Sequence, residues 1–452
     1  MHKLCSFKLR MLYTCNKYQP LVYTIWGIVM KFLLLFLSYV FIPNIAFAKV
    51  NSGDTAWIMT STALVLFMTL PGLALFYTGL VQSKNAVSVL MHHFAIACLA
   101  SILWVIFGYS LAFSEGSQWV GGLSNIFLTN LSYDGLSGSI PESTFIGFQM
   151  TFAIITPALM IGAFVERMRF LAVIVFLSLW ILIVYAPVTH WVWGGGILAD
   201  WGVMDFAGGL VVHATAGIGA LVTAIVLGSR KQFPKSINPP HSPVLTMIGA
   251  SMLWIGWFGF NGGSALSAGT NAGMAILVTH ISAAAASIVW MVIEWLRFGK
   301  PSLVGMVTGM VAGLATVTPA SGYIGVPGGL ILGISGGLLC YLAVDLIRGK
   351  LKIDDSLDVF AVHGVGGILG SFLVCFLALE SFAGVGLAEG QTVSGQFTAQ
   401  AFGVFITVAW TAVFTYIILR LTSFVTPLRV DEEEEIEGLD LRSHGERAYS
   451  KD

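Results

Sequence analysis

DFAGGLVVHATAGI, Asp205 to Ile218, and DVFAVHGVGGI, Asp358 to Ile368, are two apolar stretches that each open on an aspartate. Each carries one histidine, His213 or His363, with a Gly-Ile pair four and five residues further on. Segments of roughly 20 apolar residues, the length that crosses about 30 Å of hydrocarbon, begin near residues 54, 86, 143, 168, 205, 243, 271, 302, 324, 357 and 397. The two stretches therefore sit in the fifth and tenth of eleven spans, and enter from opposite faces. At 1.5 Å per residue His213 lies roughly 12 Å along from Asp205 and His363 roughly 8 Å along from Asp358. Both histidines thus approach the midplane. Eleven divides as five plus five plus one, and an odd number per half turns the second half upside down. The expected fold is an all-α polytopic membrane protein of eleven transmembrane helices, a five-plus-five inverted repeat with an added C-terminal helix.

Composition supports that class. Of 452 residues 56% are hydrophobic and 10% charged, against about 25% charged in a soluble domain. Lys plus Arg (22) nearly balances Asp plus Glu (23), and no basic block exists that could neutralise a phosphate backbone, which argues against nucleic acid as a partner. Five cysteines show no CxxC spacing, so neither a disulfide framework nor a zinc site is indicated. Glycine, 51 residues, suits close helix packing in lipid.

The chain divides by composition. Lys31, the apolar run from Phe32 to Phe41 and Ala46-Phe47-Ala48 form the basic, apolar and small-residue regions of a signal peptide over 30–48. Residues 1–29 precede a plausible initiator, Met30, and are read as an over-called extension; an uncleaved span over 22–47 is the alternative. The membrane domain covers 49–430. A polar tail over 431–452 holds nine of the 23 acidic residues and is too short for a folded output domain. Every Lys and Arg after Lys49, from Lys84, Arg167 and Arg169 to Arg447 and Lys451, falls on one side of the spans. The positive-inside rule then places the mature N-terminus outside and the C-terminus in the cytoplasm.

Ionisable groups within spans are functional by default until a partner explains them. Glu166 with Arg167, and Glu294 near Arg297, sit at span ends where ion pairing is a sufficient reason. His92, His93 and His280 read as satisfied core histidines. His213 and His363 differ because they occupy matching places in related helices, and two buried imidazoles can share one proton. A structural tie between the two halves remains the alternative for the pair; a metal site lacks a third ligand three or four residues away. No HExxH or Walker A pattern appears, and the GxSxG match at Gly333 to Gly337 lies within an apolar span rather than at a strand-to-helix turn, so an enzyme has no support. The outer loops are rich in aromatics, including Trp191, Trp193, Trp257 and Phe260, while Phe148 and Phe152 share one helix face. An interfacial aromatic belt and a cation held over aromatic faces beside a hydroxyl are both open readings.

The stretches Pro71 to Tyr77, Glu166-Arg167, Val192 to Gly196, Asp205 to Gly209, Gly256 to Asn261, Thr318 to Gly325, Asp358 to Gly364 and the tail motifs Glu437 to Asp440 and His444 to Glu446 resemble the ammonium transporter family (Amt/Mep/Rh), and closely its bacterial Amt branch. The resemblance runs from about residue 53 to the C-terminus. It implies an outer ammonium-recruiting site of Phe152, Trp193 and Ser264 with Phe148 near its mouth, and a gate of Phe152 stacked on Phe260. It further implies that Trp257 lines the pore, that Asp205 shapes the outer site from behind, and that His213 and His363 are the paired pore histidines. A homotrimer in the cell inner membrane is implied, with one pore per subunit, ammonium or ammonia (methylammonium included) as substrate and a PII-type nitrogen regulatory protein at the cytoplasmic face. No cofactor is implied. His92, His93 and Met150 depart from the family pattern. An ammonium sensor and a Rh-like ammonia gas channel are the alternative functions.

Overall fold

The computed structural model describes residues 24, 26–32, 50–235 and 239–449. The readings of 1–29 as an extension and 30–48 as a signal peptide fall almost wholly outside the described residues. From Val50 onward the chain forms one unit, built from eleven apolar helices in the order the sequence predicts. They are α1 (Ser52–Leu80), α2 (Ser83–Phe113), α3 (Glu142–Phe164), α4 (Phe170–Asp200), α5 (Gly209–Leu227), α6 (Pro243–Gly263), α7 (Thr270–Phe298), α8 (Leu303–Val317), α9 (Val326–Lys350), α10 (Phe360–Leu377) and α11 (Val393–Val425). Two short helices follow in the tail, α12 (Glu432–Glu437) and α13 (Leu439–His444).

Local chemistry sets several boundaries. Asn51 opens α1 by accepting from the N–H groups of Gly53 and Asp54, and Ser302 opens α8 by accepting from Gly305, so each side chain satisfies donors that a helix start leaves unpaired. Pro71 lies in a π-helical turn of α1, Met68–Leu73, where the missing N–H and ring bulk widen the helix. α8 is 15 residues long, shorter than the roughly 20 residues predicted, because Thr318 and the residues after it leave the helix as turns. That irregular backbone stays buried: Thr318, Ala320 and Ser321 are inaccessible to solvent. Non-helical backbone at membrane depth is tolerated where protein surrounds it.

The described lysines and arginines after Val50 lie at one end of the bundle, called here the charged face. There the α3–α4, α5–α6 and α9–α10 connections are tied by a buried ionic cluster. Arg230 forks onto Asp354 (Nε–Oδ2 2.9 Å, Nη2–Oδ1 2.8 Å) and reaches Glu166 (2.6 Å). Arg167, fully buried, lies 3.6 Å from Asp354 and donates to the Ser356 hydroxyl. Desolvation lowers the Arg167 pKa to about 10 against the pull of Asp354. Glu166 therefore pairs with Arg230 rather than its neighbour Arg167. Likewise Glu294 accepts from Ser302 and Arg297 pairs with Asp345 of α9, so each of these two charges at the end of α7 is satisfied by a neighbouring segment rather than by the other.

Helices α5 and α10 cross at the centre of the bundle. A β-carbon added at Gly217 would collide with the Gly364 backbone, and one at Gly367 with the Gly209 carbonyl and His213 Cβ. The glycine four residues after each histidine is thus the point where its helix meets the other.

Candidate functional site

Each histidine is carried on a π-helical first turn, Gly209–Ala214 in α5 and Phe360–Gly364 in α10. The crossing brings the rings together nearly parallel, at an interplanar angle of 21° with centroids 5.3 Å apart, and places the two Nδ1 atoms 3.3 Å from each other. In a neutral pair one Nδ1–H donates and the other Nδ1 accepts. One ring then offers an acceptor at Nε2 and the other a donor. His213 Nε2 is buried with no partner within the protein, so that atom is available to whatever occupies the space beside it.

The predicted aromatic residues form a continuous file on one side of the pair. Phe148 meets Phe152 edge-on at 5.1 Å, Phe152 meets Trp193 edge-on at 5.7 Å, and Phe152 lies against Phe260 with centroids 4.3 Å apart. Phe260 is 6.0 Å from His213, and Trp257 stacks on His213 at 5.4 Å. Ser264 caps α6 close by, its hydroxyl donating to Phe260 O at 2.8 Å. Phe148, Phe152, Trp257 and Phe260 are essentially inaccessible, while Trp193 and Ser264 are half-buried. On the other side of the pair, a cavity of about 300 Å³ lined by Tyr77, Val362, His363, Asp358, Arg348 and Arg230 leads to the charged face.

Residues that the sequence reading did not place hold this file in position. The Trp257 indole N–H donates to the Thr318 hydroxyl (2.9 Å), whose own proton goes to Leu314 O (2.7 Å); Asn261 donates to Thr279 (2.8 Å). The Asp205 carboxylate turns onto the backbone and accepts four N–H groups, from Gly208 (2.9 Å), Gly209 (2.5 Å), Leu210 (2.8 Å) and Val211 (3.2 Å). A carboxylate at a helix start satisfies unpaired donors and opposes the helix dipole. Burial raises its pKa, and the four N–H bonds work against that rise. Its backbone carbonyl accepts the Trp193 indole N–H at 2.9 Å.

The matching aspartate of the second half is Asp355, not the Asp358 suggested by the sequence comparison. Asp205 precedes His213 by eight residues and Asp355 precedes His363 by eight; Asp355 Oδ2 accepts from Phe360 N–H at 2.7 Å at the start of α10. Asp358 falls opposite Gly208, both with left-handed backbone (φ 60° and 109°), and pairs with Arg348 at 2.9 Å. The spacing itself was the available signal.

His92 and His93 are buried core residues, each with Nδ1–H donating to the carbonyl four residues back, Ser88 O (2.6 Å) and Val89 O (2.8 Å). His280 is exposed on α7 beside Trp254, ring centroids 5.1 Å apart.

The profile of the Ammonium Transporter Family matches residues 56–449. The chain belongs to the ammonium transporter family. An ammonium transporter of Bacillus subtilis is 44% identical over 401 residues, covering 88% of this chain and 98% of that protein, and ammonium transporter Amt1 of Archaeoglobus fulgidus is 43% identical over 404 residues, covering 88% and 100%. Among solved structures, a sensor Amt protein superposes with a TM-score of 0.81 at 31% identity, covering 87% of this chain and 98% of that one. Mep2 of Saccharomyces cerevisiae superposes with a TM-score of 0.76 at 37% identity, covering 85% and 92%. These two relatives, one bacterial and one archaeal, are transporters rather than enzymes, which fits the Amt branch.

Proposed function

We propose that this protein moves ammonium across the cell inner membrane by separating its proton from neutral ammonia. The observation that carries this reading is the unbroken file Phe148, Phe152, Phe260, His213, His363, ending in the cavity toward the charged face. Trp193, Phe148 and Phe152 offer electron-rich faces to a cation, and Ser264 offers a hydroxyl oxygen to its N–H groups. Below them the Phe152–Phe260 contact leaves no polar partner, so an apolar passage disfavours the charged form and favours release of the proton. Ammonia then passes the gate and Trp257. The proton is relayed by the histidine pair, which can accept on one ring as the other donates.

Such a scheme accounts for selectivity. Ammonium and potassium have similar size and charge, so a pore that only replaces water would pass both, whereas potassium has no proton to give. The one-sided lysines and arginines support an N-outside, C-inside orientation. By family membership we further propose a homotrimer and docking of a PII-type regulatory protein at the charged face.

The test is the current evoked by ammonium and potassium concentration steps in proteoliposomes holding the native protein, His213→Asp or His363→Ala. The native protein should respond to ammonium alone, and each variant should pass potassium or lose the coupling between charge and ammonia. Native discrimination retained by both variants, beside a lowered melting temperature, would instead make the pair a structural tie.

A further inference from the structure

The eleventh helix lies outside the repeat, and the repeat alone does not explain why a glutamine sits buried within it. Gln400 is inaccessible to solvent, and its amide is fully used. Oε1 accepts from Met204 N–H at 2.7 Å and from Gln396 Nε2 at 3.2 Å; Nε2 donates to Met204 O at 2.9 Å and to Ser371 O at 2.8 Å. Gln396, one turn earlier on the same face, donates to Gly202 O at 2.9 Å. Phe402 stacks on Trp201, with centroids 4.2 Å apart at 24°. A β-carbon at Gly403 would stand 3.1 Å from both methyl groups of Val203. Four consecutive residues, Trp201 to Met204, are thus each held by α11.

The next residue is Asp205, whose carbonyl receives the Trp193 indole N–H and whose carboxylate opens α5. Phe206 N–H is fixed in turn on Pro319 O at 3.0 Å. The Met204 amide and carbonyl, both locked by one side chain, therefore set the register in which Asp205 presents its carbonyl to Trp193. Buried polar groups cost free energy when a partner is removed, so a clamp of this kind holds a single backbone position.

We infer that Gln400 is a positioning residue for the outer cation site: through the Met204–Asp205 peptide it fixes the Trp193 indole over the entrance to the aromatic file, so that α11 sets how tightly ammonium is captured. This rests on the recruitment role proposed above for Trp193.

The experiment compares the ammonium dependence of currents in proteoliposomes for the native protein, Gln400→Leu, Trp193→Leu and the double variant, each shown to be inserted and assembled. Gln400→Leu should raise the half-saturating concentration about three- to tenfold, within what loss of a cation–π contact produces, with a smaller change in maximal current. The double variant should resemble Trp193→Leu alone, since coupled residues are non-additive. Additive shifts, or an unchanged half-saturation for Gln400→Leu while Trp193→Leu shifts it, would overturn the inference and leave the recruitment reading standing. An unchanged Trp193→Leu would remove the recruitment reading and this inference with it. Gln396→Leu, which loses both the Gly202 contact and the hydrogen bond to Gln400 Oε1 and so weakens the Met204 clamp without removing it, should move half-saturation in the same direction by less; no shift there counts against the inference even if Gln400→Leu is not recovered from membranes.

Discussion

Asp205 and Asp355 do the same mechanical work at the starts of α5 and α10, yet their surroundings differ. The first is met by four backbone N–H groups, whereas Asp355 Oδ1 is buried without a partner. Burial first and the negative charge of Asp358 second push the Asp355 pKa up to about 7. Its folded pKa therefore exceeds the unfolded value of about 3.9, so the folded state holds a proton that the unfolded state has released. Its contribution to stability is full below pH 4 and is lost as the pH rises toward 7. Asp355→Asn, which keeps an acceptor for Phe360 N–H, should flatten the fall in detergent melting temperature between pH 5 and pH 8 relative to the native protein. Parallel melting curves for the two proteins would remove this assignment. The histidine pair and the aromatic residues were legible in the sequence because ionisable and electron-rich side chains stand out in apolar runs. The register of Asp355 was legible only in its eight-residue spacing to His363, equal to that from Asp205 to His213, because Asp358 competes for the same place. The left-handed backbone shared by Gly208 and Asp358, a conformation cheap for glycine and tolerated by aspartate, decides between the two aspartates.

At the scale of elements, hydropathy located all eleven helices, since each needs enough apolar length to cross lipid. It overstated α8, whose crossing is completed by buried turns that a sliding average of apolarity cannot distinguish from helix. Tertiary partners such as Gln400 with Met204 lie 196 residues apart and leave no local mark. The tail shows the same division. Its acidic composition was plain, but its docking was not. α12 opens with Asp431 and Glu434 in a reciprocal capping box, Asp431 pairs with Arg169 at 3.0 Å and Glu435 with Arg429 at 2.7 Å. Leu439 N–H donates to Asn85 Oδ1 and Ser88 N–H to Asp440 Oδ1, both at 2.8 Å. His444 packs edge-on against Phe170, centroids 5.2 Å apart. The tail thereby grips the starts of α2 and α4, the helices whose ends bracket the charged-face loops. Truncation after Val430 should leave a protein that inserts and assembles but loses most of its transport, and Asp440→Ala should reproduce part of that loss. Full transport with intact regulation in the truncated protein would reject a controlling role for the tail.

The whole molecule is an antisymmetric object with an asymmetric coat. Two halves of opposite direction put their histidines side by side because Gly217 and Gly367 let α5 and α10 touch, and that internal geometry is indifferent to which way the bundle faces. Orientation comes instead from the coat. The connections at the uncharged face, including 114–141 and 378–392, contain no lysine or arginine, while the charged face gathers Lys84, Arg230, Lys231, Arg297, Lys300 and Arg348. Holding basic residues on the cytoplasmic side is a property of insertion rather than of packing, so the prediction is testable apart from any transport assay. Native Cys98, Cys340 and Cys375 lie within membrane-spanning helices, beyond an impermeant reagent. With Cys5 and Cys15 replaced by serine, Tyr133→Cys, at a fully exposed position, should be labelled on intact cells by a membrane-impermeant thiol reagent. Lys300→Cys, exposed at the opposite end between α7 and α8, should react only after the membrane is permeabilised. Labelling of Lys300→Cys on intact cells with Tyr133→Cys protected would turn the molecule over and place the aromatic site in the cytoplasm, facing ammonium from within rather than from outside.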